Sequence, residues 1–259
     1  MQIQRLWKNF QVESTADASP TLRLFGADLL DQTKPAESMH HSGGAATETL
    51  YIYGTAISWA LTKFQVAQLR VASVGLGLGY NEILMAILTL QNPSKSAKID
   101  SFEIDHELKD AFYKWIFDIN NKDENQYAKN QIYNKIFLLL SLKLQSALAL
   151  DVVKKYLQHQ VQSGELRLLD ELNLEKIPEN PRYHLCLFDA FSQKTTQELW
   201  DKIFLDRFIE RSFDAHYALL STYACTGVLT RALKSHGFSV IKKPGFLGKR
   251  NSTWAERIK

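Results

Sequence analysis

Cysteine is scarce in this sequence, with only Cys186 and Cys225 among 259 residues. Both lie inside apolar runs and no Cys-x-x-Cys pair occurs, so the pattern favours buried thiols over disulfides and shows no cysteine zinc site. The adjacent histidines His40 and His41 would point to opposite sides of an extended chain, and we therefore expect no metal site there.

Long apolar runs are also missing. The stretch Ile136–Leu150 is interrupted by Lys143 and Gln145, so it does not predict a membrane-spanning helix. The first residues carry Arg5 and Lys8 without a following apolar segment, so they do not predict a secretory signal peptide. From these absences we expect a cytoplasmic protein without a membrane partner.

The sequence has little excess charge of either sign. Its 31 basic and 28 acidic residues give a formal net charge of +3. This mildly basic balance is compatible with a nucleic-acid substrate but does not indicate one. The length suits one α/β domain with an appendage rather than two complete domains.

The most informative stretch is Arg70–Asn81, in which a β-branched run meets Gly75, Gly77 and Gly79. An amphipathic segment follows at once, so the pattern predicts a buried strand, a tight turn and a helix. A dinucleotide-binding fingerprint would need its third glycine at Tyr80, whereas G-x-G-x-G before a helix is typical of class I methyltransferases that bind S-adenosyl-L-methionine. The alternative is an ordinary strand-to-helix turn.

Several polar residues are candidate cofactor ligands. Asn81 follows the last glycine of the turn, and the next strand ends in Glu103 and Asp105. An acid at such a strand end accepts hydrogen bonds from both ribose hydroxyls, and Glu103 is the first choice for that role. Asp170 ends a later strand and suits an adenine amino group. Glu48 either caps a helix start or points into the binding cleft.

Asp189 is the candidate catalytic residue. It ends the buried segment 183–191, and in open α/β sheets ligands bind outside the carboxyl ends of the strands where the strand order reverses. We therefore expect Asp189 to face the transferred methyl group, with capping of the helix at 196–211 as the alternative. Cys225 has no neighbouring base in the sequence and is interpreted as a small packing residue rather than a nucleophile.

The order of these elements predicts an α/β protein with a Rossmann-like class I methyltransferase fold. We expect a seven-stranded, mostly parallel sheet with helices on both faces. An N-terminal hairpin of strands 6–12 and 21–25 and a substrate or cofactor loop occupy residues 1–47, and the methyltransferase domain covers 48–259. A helical insertion is predicted at about 106–163. Its many lysines indicate a solvated helix face more than a surface for an acidic partner.

Several motifs, taken in order, carry a more specific resemblance. The sequence resembles the methyltransferase domain of the MnmC family of tRNA 5-methylaminomethyl-2-thiouridine biosynthesis proteins over nearly the whole chain outside the helical insertion. The matching segments are STADASPTL (14–22), HSGGAATET (41–49), GLGLGYN (75–81), LFDAF (187–191), STY (221–223) and PGFLGKR (244–250).

This resemblance implies transfer of a methyl group from S-adenosyl-L-methionine to the amine of 5-aminomethyluridine at the wobble position of the tRNA anticodon. It implies that Asp189 binds or deprotonates the amine, and that Phe191 and Tyr223 contact the substrate. It also implies phosphate contacts from a basic cluster, which consists of Lys242, Lys243, Lys249 and Arg250.

The sequence departs from the family pattern at three points. Ser73 stands where many relatives have an acid, and the prolines expected after Phe191 are replaced, which predicts a looser loop there. There is no room for an FAD-dependent oxidase half, so we expect separate enzymes to supply the aminomethyl intermediate. Two alternatives stay open, namely a methyltransferase or aminopropyl transferase acting on a small amine, and a non-catalytic RNA-binding relative.

Overall fold

The structure of the protein is a computed structural model that describes residues 6–24, 37–119, 123–175, 177, 182–248 and 251–259. Within these ranges the chain forms two β-sheets and eight α-helices. Phe25, Lys249 and Arg250, which the sequence predictions include, lie outside the described residues.

The N-terminal segment forms a small antiparallel sheet. Strand β1 (Phe10–Ser14) pairs with β2 (Pro20–Leu24), and β2 pairs with the short β3 (Glu37–Ser38). Asp17 in the β1–β2 turn accepts hydrogen bonds from the hydroxyls of Thr15 and Ser19, which closes the turn. The predicted hairpin is present, shifted by a few residues, whereas the sequence pattern did not predict β3.

The central sheet has seven strands in the order β6-β5-β4-β7-β8-β10-β9. All neighbours are parallel except β10, which is antiparallel to both β8 and β9. The strands are β4 (Gln68–Val74), β5 (Ser96–Phe102), β6 (Leu166–Leu169), β7 (Leu185–Phe188), β8 (Tyr217–Thr222), β9 (Ser239–Pro244) and β10 (Asn251–Ile258). This architecture confirms the predicted seven-stranded, mostly parallel sheet, and the strand order reverses between β4 and β7.

Helices cover both faces of the sheet. They are α1 (Ala45–Thr49), α2 (Thr55–Lys63), α3 (Tyr80–Leu90), α4 (His106–Ile116), α5 (Glu124–Lys143), α6 (Leu150–Ser163), α7 (Lys202–Ser212) and α8 (Gly227–Ser235). A π-helical turn (Leu50–Gly54) joins α1 to α2, and a short 3₁₀ turn (Gln197–Trp200) precedes α7. The single helix predicted at 196–211 is therefore two elements, because Asp201 caps α7 by accepting the N–H groups of Ile203 and Phe204.

Two apolar cores lie on opposite faces of the sheet. On one face α3 is buried along almost its whole length, because the predicted helical insertion supplies α5 and α6, which pack over it. Trp115 and Tyr133, both fully buried, join α4 to α5 in this core. On the other face, α7 and α8 pack on the sheet around Phe188 and Phe208.

Cys186 is buried in β7 and Cys225 is partly buried, and both are free thiols. None of the helices in the described ranges is long and apolar enough to cross a membrane. Across the same ranges, no group of three or more His, Cys, Asp or Glu side chains is arranged to hold a metal ion.

Candidate active site

A cleft of about 670 Å³ opens at the carboxyl ends of β4, β5 and β7. The glycine turn after β4 forms its floor, β3 borders one side, and the residues that follow β5, β6 and β7 complete the wall. This is the place where strand order reverses, and ligand sites of open α/β sheets lie there.

The glycine turn needs glycine for two separate reasons. Gly75 and Gly79 have φ angles of +92° and +68°, which side-chain-bearing residues rarely adopt. A Cβ atom on Gly75 would lie 2.6 Å from the backbone oxygen of Asp189, and one on Gly79 would lie 2.4 Å from the ring of Phe112. The turn is thus pressed against both the segment that carries Asp189 and helix α4.

Glu103 lies in the cleft directly beside the glycine turn. One carboxyl oxygen accepts the N–H of Gly77 at 2.9 Å and the other accepts the N–H of Asp105 at 2.9 Å. Burial raises the pKa of Glu103. Asp105, the reserve candidate, also borders the cleft, but its carboxyl caps α4. The geometry therefore favours Glu103 over Asp105 as the acid available for a ribose.

Asp189 follows β7 and lies in the cleft next to the glycine turn. Its Oδ1 accepts a hydrogen bond from the Tyr53 hydroxyl at 2.7 Å, and the Asn81 amide is 3.4 Å from Oδ2. Burial raises the pKa of Asp189 well above its ordinary value, and the nearby carboxylates Glu48 and Glu82 raise it further. The alternative prediction was that Asp189 caps the following helix. In the structure, Asp201 caps α7 instead.

Sequence reasoning missed Tyr53, because its position in an amphipathic stretch suggested only helix packing. The structure places it in the π-helical turn Leu50–Gly54, buried at 2% exposure behind Asp189. Short π-helical turns are rare and occur often at functional sites. No local sequence signal identifies such a turn, since its extra residue per turn is fixed by contacts with the rest of the fold.

Phe191 and Tyr223 both line the cleft, and their predicted contacts with the substrate stay a prediction. The Tyr223 hydroxyl donates to the backbone oxygen of Ala190 at 2.9 Å. The backbone oxygen of Phe191 accepts from the Trp200 indole N–H and from the Thr196 hydroxyl, each at 2.8 Å. These bonds hold the backbone after β7 against the 3₁₀ turn, and the Tyr223 side chain is held against the same segment.

The loop after Phe191 is tied down, although its lack of prolines predicted a looser loop. Glu37 of β3 accepts a hydrogen bond from the Ser192 N–H at 3.0 Å and from the Ser192 hydroxyl at 2.9 Å. The Thr195 hydroxyl donates to the same carboxylate. The N-terminal sheet thus supplies the restraint that prolines would otherwise provide, and sequence reasoning missed Glu37.

Asp170 lies outside the set of residues that line the cleft, and its adenine contact stays a prediction. Its carboxylate is ion-paired with Lys109 of α4 on the outer surface. The segment that follows it, Glu171, Leu172 and Asn173, borders the cleft instead. The sequence pattern placed the end of β6 correctly. Which side chain after β6 faces the cleft depends on the ion pair between Asp170 and Lys109 of α4.

Glu48 is buried in α1 and accepts the backbone N–H of His41 at 2.6 Å. It thereby shapes the loop that precedes α1 and lies outside the set of residues that line the cleft. Its charge still acts on the site, because it raises the pKa of Asp189. Neither predicted alternative, a simple cap or a direct cofactor contact, fully describes this role.

Another buried acid, Glu82, lies close to the glycine turn. Glu82, in the first turn of α3, is 1% exposed and accepts a hydrogen bond from the Ser101 hydroxyl at 2.7 Å. Burial raises its pKa from 4.5 to about 7, against the lowering effect of the Ser101 and Ser73 hydroxyls. The position where many relatives have an acid is thus occupied by Ser73, and an acid from the neighbouring helix lies beside it. The sequence pattern alone placed Glu82 only in an amphipathic helix.

The predicted basic cluster is described only in part. Lys242 is exposed on β9, the edge strand of the central sheet. Lys243 lies over the ring of Trp254, with Nζ 3.4 Å from the ring centroid, and burial lowers its pKa. This contact occupies the Lys243 ammonium, so of these two lysines Lys242 is the better placed for an external anion.

The cleft is strongly acidic. Among the described residues that line it, six carry carboxylates and none is lysine or arginine. The six are Glu37, Glu103, Asp105, Glu171, Asp189 and Glu198. Such a lining attracts cationic ligands, including a sulfonium ion or a protonated amine.

The residues present fit the predicted cofactor. The glycine turn borders the cleft at Gly75 and Gly77, where no side chain blocks a ligand from the backbone, and Glu103 beside it is a carboxylate of the kind that accepts from ribose hydroxyls. Asn81 Oδ1 is buried at the cleft and has no hydrogen-bond partner among the described residues, so a polar ligand is needed to satisfy it. When bound, S-adenosyl-L-methionine supplies an electrophilic methyl group.

Known proteins of the MnmC type resemble this chain. The tRNA 5-methylaminomethyl-2-thiouridine biosynthesis bifunctional protein MnmC of Hahella chejuensis (strain KCTC 2396) is 37% identical over 65 residues, which cover 25% of this chain and 10% of that protein. The crystal structure of MnmC2 from Aquifex aeolicus matches with a TM-score of 0.62 and 21% identity, covering 96% of this chain and 70% of that one. The predicted fold and the resemblance to MnmC are thereby confirmed.

A family model covers the second half of the chain. It is described as S-adenosyl-L-methionine-dependent methyltransferase and matches residues 128–258, just over half of the sequence. The matched part contains β6 to β10 and Asp189, and the glycine turn after β4 precedes it in the sequence. The chain therefore belongs to this family of S-adenosyl-L-methionine-dependent methyltransferases.

Proposed function

We propose that the protein methylates the primary amine of 5-aminomethyluridine at the wobble position of tRNA, giving 5-methylaminomethyluridine. The observation that carries the proposal is Asp189, a half-buried carboxylate in an acidic cleft directly beside the glycine turn. The similarity to a protein named for tRNA 5-methylaminomethyl-2-thiouridine biosynthesis supports the choice of acceptor.

The reaction is a direct substitution. The amine nitrogen forms a bond to the methyl carbon, the carbon–sulfur bond breaks, and its electron pair stays on sulfur as S-adenosyl-L-homocysteine leaves. The nitrogen loses one proton, which Asp189 accepts and passes to solvent. Since the methyl group is already electrophilic, the enzyme's main task is to hold a neutral amine in line with it.

Each residue of the cleft has a defined part in this scheme. Asp189 orients the amine and accepts its proton, and its raised pKa brings it closer to the working pH of a general base. Phe191 and Tyr223, which both line the cleft, form the walls against which the uridine ring packs. Glu103 holds the ribose of the cofactor.

Lys242 on the edge strand provides a sequence-independent contact with the tRNA backbone, and Lys249 and Arg250 complete the proposed basic cluster. The substrate of this reaction already carries the aminomethyl group, so we place the methyl transfer after the step that forms that group.

The test is labelled-methyl transfer from S-adenosyl-L-methionine to tRNA isolated from cells that accumulate the aminomethyl form. Wild type should label this tRNA, and Asp189→Asn should reduce kcat by on the order of 100-fold or more. Calorimetry should show that Asp189→Asn still binds the cofactor. Glu210→Gln, an exposed substitution on α7, serves as the matched control. Binding of cofactor by wild type without any transfer to tRNA would contradict the proposal.

A second candidate is methyl or aminopropyl transfer to a small cationic amine. The six carboxylates of the cleft favour it, because they would hold a polyamine as readily as an aminomethyl group. Adding spermidine to the same assay separates the two. A small methyl acceptor predicts label in the amine and no effect of Lys242→Ala, and aminopropyl transfer predicts that the methyl label stays on sulfur in methylthioadenosine. A tRNA acceptor predicts label in RNA and weaker, more salt-sensitive binding by Lys242→Ala.

A further inference from the structure

We infer that Tyr53 is a positioning residue for Asp189, holding its carboxylate so that Oδ2 faces the acceptor amine. The inference rests on the proposed function for its catalytic consequence, but the contact itself does not depend on the acceptor. Tyr53 lies outside the set of residues that line the cleft and reaches Asp189 from behind. It therefore acts through Asp189 and not on substrate.

The hydrogen bond between the two residues is short and sheltered. The Tyr53 hydroxyl is 2.7 Å from Asp189 Oδ1, and the next acceptor, the backbone oxygen of Phe188, is 3.4 Å away. Burial raises the pKa of the Tyr53 hydroxyl, so it remains a donor throughout the working range of the enzyme. With Oδ1 occupied, Oδ2 is the oxygen left for the amine, and the Asn81 amide at 3.4 Å makes only a weak contact with it.

The backbone that carries Tyr53 is built for this contact. Tyr53 lies in the π-helical turn Leu50–Gly54, which rotates it away from the position that a regular α-helix would give. The backbone oxygen of Ile52 accepts a hydrogen bond from the Ser221 hydroxyl of β8 at 2.9 Å. The turn is thus anchored to the strand next to β7, the strand that Asp189 follows.

The charges around Asp189 make such a donor necessary. Glu48 of α1 and Glu82 of α3 both disfavour its ionised form, and Tyr223 also lies within electrostatic range. The Tyr53 hydroxyl opposes them, since a donor to the carboxylate stabilises the charged state. Without it, Asp189 would stay protonated to higher pH and could not accept the amine proton.

The kinetic test compares Tyr53→Phe with Tyr51→Phe over a range of pH. Tyr51 lies in the same turn, but its hydroxyl donates to the backbone oxygen of Pro244, away from Asp189. Tyr53→Phe should lower kcat by about tenfold or more, the scale of a lost hydrogen bond to a charged group. It should also move the acid limb of the kcat/KM profile to higher pH and leave cofactor affinity within about twofold. Tyr51→Phe should match wild type.

The second test does not use activity. Unfolding free energies of wild type, Tyr53→Phe, Asp189→Ala and the double variant form a double-mutant cycle, because alanine at 189 removes the acceptor of the Tyr53 hydroxyl. Non-additivity on the order of tenfold in the unfolding constant supports the contact, and additivity overturns it whatever the acceptor is. An unchanged pH profile in an active Tyr53→Phe enzyme also overturns it. If the wild type does not methylate tRNA, the proposed function is refuted. The double-mutant cycle still tests the contact between Tyr53 and Asp189.

Discussion

Replacing Glu82 by glutamine should make the protein more stable at alkaline pH. Glu82 is 1% exposed, and burial raises its pKa from 4.5 to about 7. Because the folded-state pKa lies above the unfolded one, the folded state binds the proton more tightly. The associated stability is fully present below pH 4.5 and is lost as pH rises through about 7.

The size of the effect follows from that shift. One pKa unit corresponds to about 1.4 kcal/mol. Compared with its low-pH limit, the free energy of unfolding is therefore lowered by roughly 1 kcal/mol at pH 5 and by about 3 kcal/mol at pH 8. Glutamine has a similar shape and no charge, and its amide oxygen can still accept from Ser101. The advantage of Glu82→Gln over wild type should therefore grow by about 2 kcal/mol between these pH values.

Urea unfolding at pH 5, 6, 7 and 8 measures this difference, with Glu210→Gln as the control for an exposed glutamate. The control curve should stay parallel to wild type at every pH. A Glu82→Gln variant that is less stable than wild type by a constant amount would refute the reasoning. That result would mean the carboxylate is ionised in the folded protein and held by a partner.

Two further predictions concern the cleft. Gly79→Ala should destabilise the protein by about 1–3 kcal/mol more than Gly164→Ala in urea unfolding. Both positions have positive φ, but only a Cβ at Gly79 meets Phe112. Equal losses of unfolding free energy in the two variants would contradict the contact. Glu37→Ala removes the acceptor for three hydrogen bonds from the 192–195 loop. It should raise KM for tRNA by about threefold or more, with cofactor affinity unchanged in calorimetry. An unchanged KM would show that the loop keeps its conformation without Glu37.

Much of the fold follows from local sequence patterns. The run from Arg70 to Asn81 combines a β-branched strand, a turn that only glycine permits and an amphipathic helix, so β4, the turn and α3 could be predicted together. Asp189 was predictable for a related reason, because an acid after a buried strand must lie at the carboxyl edge of a parallel sheet.

The remaining features depend on contacts between distant segments. Asp170 turns outward because Lys109 is there to pair with it. Glu37 restrains the loop after β7 across more than 150 residues of sequence, and its short strand β3 has no repeating pattern. Tyr53 reaches Asp189 only because of a π-helical turn anchored by Ser221. Periodicity along the chain holds no information about these partners.

The most direct test of the central claim is single-turnover transfer of a labelled methyl group from S-adenosyl-L-methionine to tRNA that carries 5-aminomethyluridine. The account predicts label in 5-methylaminomethyluridine at the wobble position, lost in Asp189→Asn, and no label in tRNA that has an unmodified wobble uridine. Label in the unmodified tRNA, or label only in an added polyamine, would contradict it.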